Sequence, residues 1–118
     1  MLARDTKAYK DCQELLQQVV AITQTFQRLT RYTIGQKAID ACIEMLTCIQ
    51  MANLKAGDER VEWFDEYIVY EERLRTLMIC GIDKNVERVN TKRIAEYTRL
   101  LTSVGKQLAG WRKATRTT

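Results

Sequence analysis

Four basic residues, Lys92, Arg99, Lys106 and Lys113, recur at intervals of seven near the end of the chain. Seven residues are two helical turns, so on a helix the four project from one side, about 10.5 Å apart at a 1.5 Å rise. Arg88 precedes the row, and Arg93, Arg112 and Arg116 flank it. From Arg88 onward the sole acid is Glu96. A row of cations with few local counter-charges repels itself and suits a polyanion, whose phosphates it neutralises with release of counterions. Tyr97 and Trp111 fall on the apolar side of the same segment, so there is no open stacking platform for single strands. The pattern points to backbone-directed contact, not base reading. The competing expectation is a solvated basic face balanced by the acids between Asp58 and Glu72.

Other chemistries find few residues to work with. Histidine is absent among the 118 residues. That removes Ser-His-Asp and Cys-His pairs, histidine general bases and the commonest metal ligand. Cys12, Cys42, Cys48 and Cys80 lie far apart with no CxxC, and each sits among apolar residues at helical spacing. They read as reduced, buried thiols, with no disulfide framework or zinc site. Glu71 and Glu72 beside Tyr70 could be drawn as an acid–base pair, but read better as a solvated or salt-bridged helix face. Gly35, Gly105 and Gly110 form neither a Walker loop nor a dinucleotide fingerprint. The expectation is a non-catalytic binding protein with no cofactor and no metal.

The elements that must position the row are all helical. Proline is absent and glycine numbers only 5, too few turn residues for an all-β chain. Apolar residues recur at 3-4-3-4-3 spacing in the first and last segments, which is a bundle seam. Helix one is predicted over about 5–29, with Asp5 as N-cap and a stripe of Cys12, Leu15, Val19, Ile22, Phe26 and Leu29. Helix two is predicted over 34–55, opened by a Thr33–Gln36 capping box and closed at Ala56-Gly57. Its stripe of Ala38, Cys42, Met45, Ile49 and Ala52 is widened by Ile39, Ile43 and Leu46, which suggests a second neighbour. Helix three is predicted over 59–80, capped by Asp58, striped by Trp63, Tyr67, Tyr70, Leu74 and Leu77, and stopped at Gly81. Helix four is predicted over 91–113, capped by Asn90, with Ile94, Tyr97, Leu101, Val104, Leu108 and Trp111 inward. Residues 114–118 read as a frayed tail. Four such helices with short links predict one all-α domain, an antiparallel up-down-up-down four-helix bundle. No apolar run can span a bilayer, and the polar start carries no signal-peptide core, so a cytoplasmic protein without membrane contact is expected.

Three stretches carry a further pattern. Arg31-Tyr32-Thr33-Ile34-Gly35 opens helix two, Ala52-Asn53 closes it, and Ser103-Val104-Gly105-Lys106-Gln107-Leu108-Ala109-Gly110-Trp111 ends helix four. Together they resemble the accessory variability determinant family, four-helix bundles encoded beside reverse transcriptases in diversity-generating retroelements. The resemblance runs over about residues 9–113. The chain departs from the family at Ser103, where Glu is usual, at Ala109, where Gly is usual, and at Met78, where an arginine is usual. Arg73 and Arg75 lie one turn before Met78 as candidate polymerase or RNA contacts. The resemblance implies a homopentameric ring with a basic surface. It also implies a reverse transcriptase and its template RNA or cDNA as partners, and support of mutagenic cDNA synthesis. It marks Gly35, Asn53, Gly105, Gly110 and Trp111 as structural motif positions. The alternative is a bundle similar to those encoded in ribosomal RNA intervening sequences, acting as a structural or protein-interaction scaffold.

Overall fold

The structure is a computed structural model that describes residues 2, 3 and 6–116. Among the described residues all regular structure is helical. Helix α1 covers Lys7–Thr23 and α2 covers 28–54. Helix α3 covers Gly57–Lys84 and α4 covers Thr91–Arg116. Helix α1 packs against α2 and α4, and α3 packs against the same two, so the four surround a common core.

Local chemistry explains where the boundaries differ from the sequence expectation. Asp5, the expected cap of the first helix, lies outside the described residues. The N-cap is Thr6, whose hydroxyl oxygen accepts from the Tyr9 N–H at 3.2 Å. Helix α1 ends at Thr23, six residues short of Leu29. Thr23 and Thr25 donate their hydroxyls to the carbonyls of Val20 and Ile22 at 3.1 and 2.7 Å, side-chain bonds that compete with helix continuation. The turn that follows swings Phe26 into the core at 2% exposure and leaves Leu29 outside at 77%. Leu29 therefore does not belong to the seam.

Helix α2 starts earlier than expected. Residues Arg28–Thr30 are α-helical, Arg31–Gly35 form a π turn, and Gln36–Leu54 resume the α-helix. Thr33 is not a cap. It sits inside the helix and donates its hydroxyl to the Leu29 carbonyl at 2.8 Å. The helix begins instead at Gln27, whose N–H donates to the Asn85 Oδ1 at 2.7 Å. The stripe Ala38, Cys42, Met45, Ile49 and Ala52 is buried as expected, together with Ala41 and Cys48. Gly57, the first residue of α3, takes a left-handed φ of 57°, a conformation a glycine permits at low cost.

Asp58 is not a cap either: α3 starts at Gly57, which puts Asp58 and Glu59 in the first turn, where they suit the helix dipole. Nor does Gly81 stop α3, which runs on to Lys84. Gly81 is buried against the Phe26 ring instead. The inward face of α3 centres on Phe64, Tyr67, Leu74 and Met78, while Trp63, Tyr70 and Leu77 are only partly buried. Asn90 caps α4 as expected, its Oδ1 accepting from the Lys92 N–H at 2.8 Å. Helix α4 continues through Arg116, past the expected end at Lys113.

Three cysteines match the expectation and one does not. Cys12, Cys42 and Cys48 are buried, whereas Cys80 is exposed near the end of α3. Its neighbour Gly81 is the residue that faces inward there, which turns Cys80 outward. The hydrogen bond with Cys42 and burial hold the Cys12 thiol protonated, and burial pushes Cys48 up to about 12. Thiolate is the reactive form. A thiol reagent is therefore expected to modify one of the 4 cysteines quickly in the native protein and all of them in denaturant. Spectrophotometric titration with Ellman's reagent checks this, and rapid release from more than one native thiol would contradict it.

Candidate nucleic-acid interface

Helix α4 is held in place by its neighbours on both sides. On the α1 side, the Asp11 carboxylate accepts from Lys7 Nζ at 2.7 Å, from Gln107 Nε2 at 2.8 Å and from Ser103 Oγ at 3.4 Å. Partial burial would raise its pKa, but these hydrogen bonds outweigh it and hold the carboxyl below its ordinary value. Ser103 and Gln107 thus lock the register of α4 against α1. On the α3 side, Trp111 packs edge-on to Phe64 with ring centroids 5.0 Å apart. The Arg60 guanidinium lies over the Trp111 ring at 5.2 Å.

This fixes the direction in which the basic row points. Lys92, Arg99, Lys106 and Lys113 are all exposed. Lys92, Lys106 and Lys113 have no carboxylate within ion-pair distance among the described residues. Arg99 differs, because Glu96 one turn away takes its Nε–H at 3.0 Å. That exposed pair contributes little to stability. Arg93 reaches across to Gln18 Oε1 at 3.5 Å, and Arg88 lies exposed in the link before α4. Arg112 is the one member of the set tied to the acidic start of α3, through Asp65 at 2.9 Å. Arg116 is exposed on the last described turn.

The structure divides the expected site residues into groups. Arg75, Lys106, Arg112, Lys113 and Arg116 converge on a groove of about 880 Å³ between α3 and α4. Lys92, Arg93 and Arg99 extend the same helix beyond it. Arg73 is not gathered with them. It stacks over the Tyr70 ring at 5.2 Å and borders a smaller cleft with Lys37, Asp40 and Glu44. Of the motif positions, Gly35 is buried with a would-be Cβ 3.2 Å from the Thr23 Cβ. Asn53 and Trp111 are half-buried, and Gly110 opens onto empty space.

Glu71 was the residue least well placed by sequence. The expectation for it and Glu72 is a solvated or salt-bridged face; Glu71 does lie 4.0 Å from Arg75, but it is not solvated. Glu72 is there, with 63% of its side chain exposed and paired to Arg75. Glu71 turns inward, with only 13% of its side chain exposed, and accepts from the Tyr67 hydroxyl at 3.3 Å. Gly105 makes this possible, since a Cβ there would lie 2.7 Å from Glu71 Oε1. A mid-helix glycine costing about 1 kcal/mol against alanine was the available signal. Burial raises the Glu71 pKa, only partly offset by Arg75 and Tyr67. Its folded-state stabilisation is therefore fully present below the unfolded value near 4.5 and is lost as pH rises through the raised folded value. Glu71→Gln, a neutral mimic, is expected to stabilise the protein at pH 7 and to have no stabilising effect near pH 4. Urea titrations at the two pH values check the sign, and a variant less stable at neutral pH would contradict it.

Among the described residues no cluster of acidic residues and cysteines could hold a metal ion, and no helix is long and apolar enough to cross a membrane. No protein-family model matches the chain, and no curated protein matches it.

Proposed function

We propose that this chain is a non-catalytic accessory protein that presents α4 to RNA. Its work is then the accessory role implied by the resemblance: binding a reverse transcriptase and its template RNA or cDNA in a diversity-generating retroelement, in the cytoplasm. The observation that carries the reading is the exposed, uncompensated set Lys92, Lys106 and Lys113 on one helix. Among the described residues the acids of α3 pair with one cation of α4, Arg112, which is not one of these three. The helices are taken to alternate in direction. Support comes from side chains that tie starts to ends: Gln50 to Tyr9, Gln107 to Asp11, Arg93 to Gln18 and Arg112 to Asp65. A homo-oligomer, a pentamer by the resemblance, would multiply the weak phosphate contacts of one row through avidity.

The test is RNA binding by fluorescence anisotropy as a function of salt. Affinity is expected to fall about tenfold or more between roughly 50 and 200 mM salt, as release of counterions from a few phosphate contacts requires. Lys92→Glu combined with Lys106→Glu should weaken binding by at least about tenfold and flatten the salt slope. Both positions are exposed, so the thermal midpoint should hardly move. Undiminished affinity in the double variant would remove the row as the site.

A further inference from the structure

The groove between α3 and α4 has a character that the basic row does not explain. Its floor is apolar, formed by residues such as Phe64, Ile68, Leu101 and Leu108. Ile68 stays 48% exposed although it faces this floor. Around it stand five cations against two carboxylates, Asp65 and Glu71. Asp65 is already paired with Arg112, and Glu71 is turned into the α3–α4 contact beside Arg75. Lys106, Lys113 and Arg116 remain without a carboxylate partner among the described residues. The α3–α4 contact is also the loosest between neighbouring helices.

Shape and chemistry select one occupant. The groove follows α4 from Leu101 to Arg116. At 1.5 Å per residue that is about 22 Å, or roughly four helical turns. Ala109, exposed on this side of α4, keeps that part of the wall low and lets another backbone come close. A nucleic acid fits the floor poorly. The rings of Phe64 and Tyr67 are each only 2% exposed, so no face is open for a base to stack on. We propose that the groove binds an amphipathic helix of a partner protein. Its apolar stripe lies on Ile68 and Ala109, the exposed apolar side chains of the groove, and its acidic flanks meet Lys106, Lys113 and Arg116. This is the helix-in-groove mode, read by anchors at i, i+3, i+4 and i+7.

The probe is a capped, fluorescein-labelled helical peptide about four turns long. It carries leucines at that spacing and glutamates on both flanks, and a control peptide has lysines for the glutamates. The full-length chain is expected to bind the acidic peptide with micromolar affinity and the lysine peptide at least about tenfold more weakly, a difference of about 1.4 kcal/mol. Ile68→Asn changes no charge at a half-exposed position, and should weaken the acidic peptide by about tenfold while RNA affinity stays within about twofold. Equal binding of the two peptides, or no binding of the acidic one, would overturn the proposal. So would unchanged peptide affinity in Ile68→Asn, or a matching loss of RNA affinity in that variant. Lys106 and Lys113 serve both readings, so the two are separated by residues that serve only one: Ile68→Asn should weaken the peptide alone, and Lys92→Glu, outside the groove, should weaken RNA alone.

Discussion

Replacing Asn85 with leucine is expected to lower the stability of the protein by about 3 kcal/mol, since two polar groups lose their partners at once. Asn85 is 3% exposed and joins two ends of the core. Its Oδ1 accepts from the Gln27 N–H at 2.7 Å, which satisfies an orphan donor at the start of α2. Its Nδ2 donates to the Gly81 carbonyl at 2.7 Å in the last turns of α3. Its own carbonyl then accepts from the N–H groups of Arg88 and Val89, which shapes the link into α4. Leucine is close in size but offers neither bond; the abandoned Gly81 carbonyl is buried and costs about 1–3 kcal/mol, and the part-buried Gln27 N–H adds a smaller loss. Denaturant titration measures the loss, and a shift below about 1 kcal/mol would mean that water replaces both bonds. Asn85→Asp is an informative companion. It keeps the acceptor for Gln27 but loses the donor to Gly81 and buries a charge, so it should also destabilise.

Gly81→Ala is the second large effect, and its sign runs against helix propensity. In an exposed helix the change would gain about 1 kcal/mol. Here the added Cβ would meet the Phe26 ring at 2.7 Å or closer, and Phe26 is itself 2% exposed with little room to turn. Overpacking of this kind costs about 1–3 kcal/mol, so a net loss of about 2 kcal/mol is expected. A double-mutant cycle with Phe26→Leu isolates the cause. In that background the alanine should cost much less, and a cost that stays the same would place the strain elsewhere. Gly105→Ala provides the contrast. Its Cβ would meet only the Glu71 carboxylate end, and that flexible side chain can swing toward solvent. The two glycines look alike in sequence, and only the neighbouring helix tells them apart.

Local pattern alone was enough for the all-helical class, the seam of α1 as far as Ile22, the seam of α4, the Asn90 cap and the basic row. These are local properties. Each depends on the 3.6-residue period, on a side chain bonding to its own backbone, or on charges fixed at two-turn intervals. That is why Lys92, Lys106 and Lys113 could be placed on one helix before any packing was known. Features set by contacts between segments far apart in the chain were not legible. The Thr23 and Thr25 hydroxyl bonds help to end α1 locally, but that Phe26 rather than Leu29 goes inward is set by the space beside Gly81 in a distant helix. Gly81, a natural helix stop on local grounds, is carried inside α3 because burial against that ring and the bond to Asn85 favour a longer helix. Glu71 and Glu72 are adjacent, yet one faces the Gly105 gap and the other water, a choice made by the approach of α4. The α3–α4 groove with its apolar floor and cationic rim exists only once two helices from distant parts of the chain lie side by side. Periodicity states which face of each helix is apolar. How closely two such faces meet, and what the gap between them will hold, is decided by the side chains of both helices together.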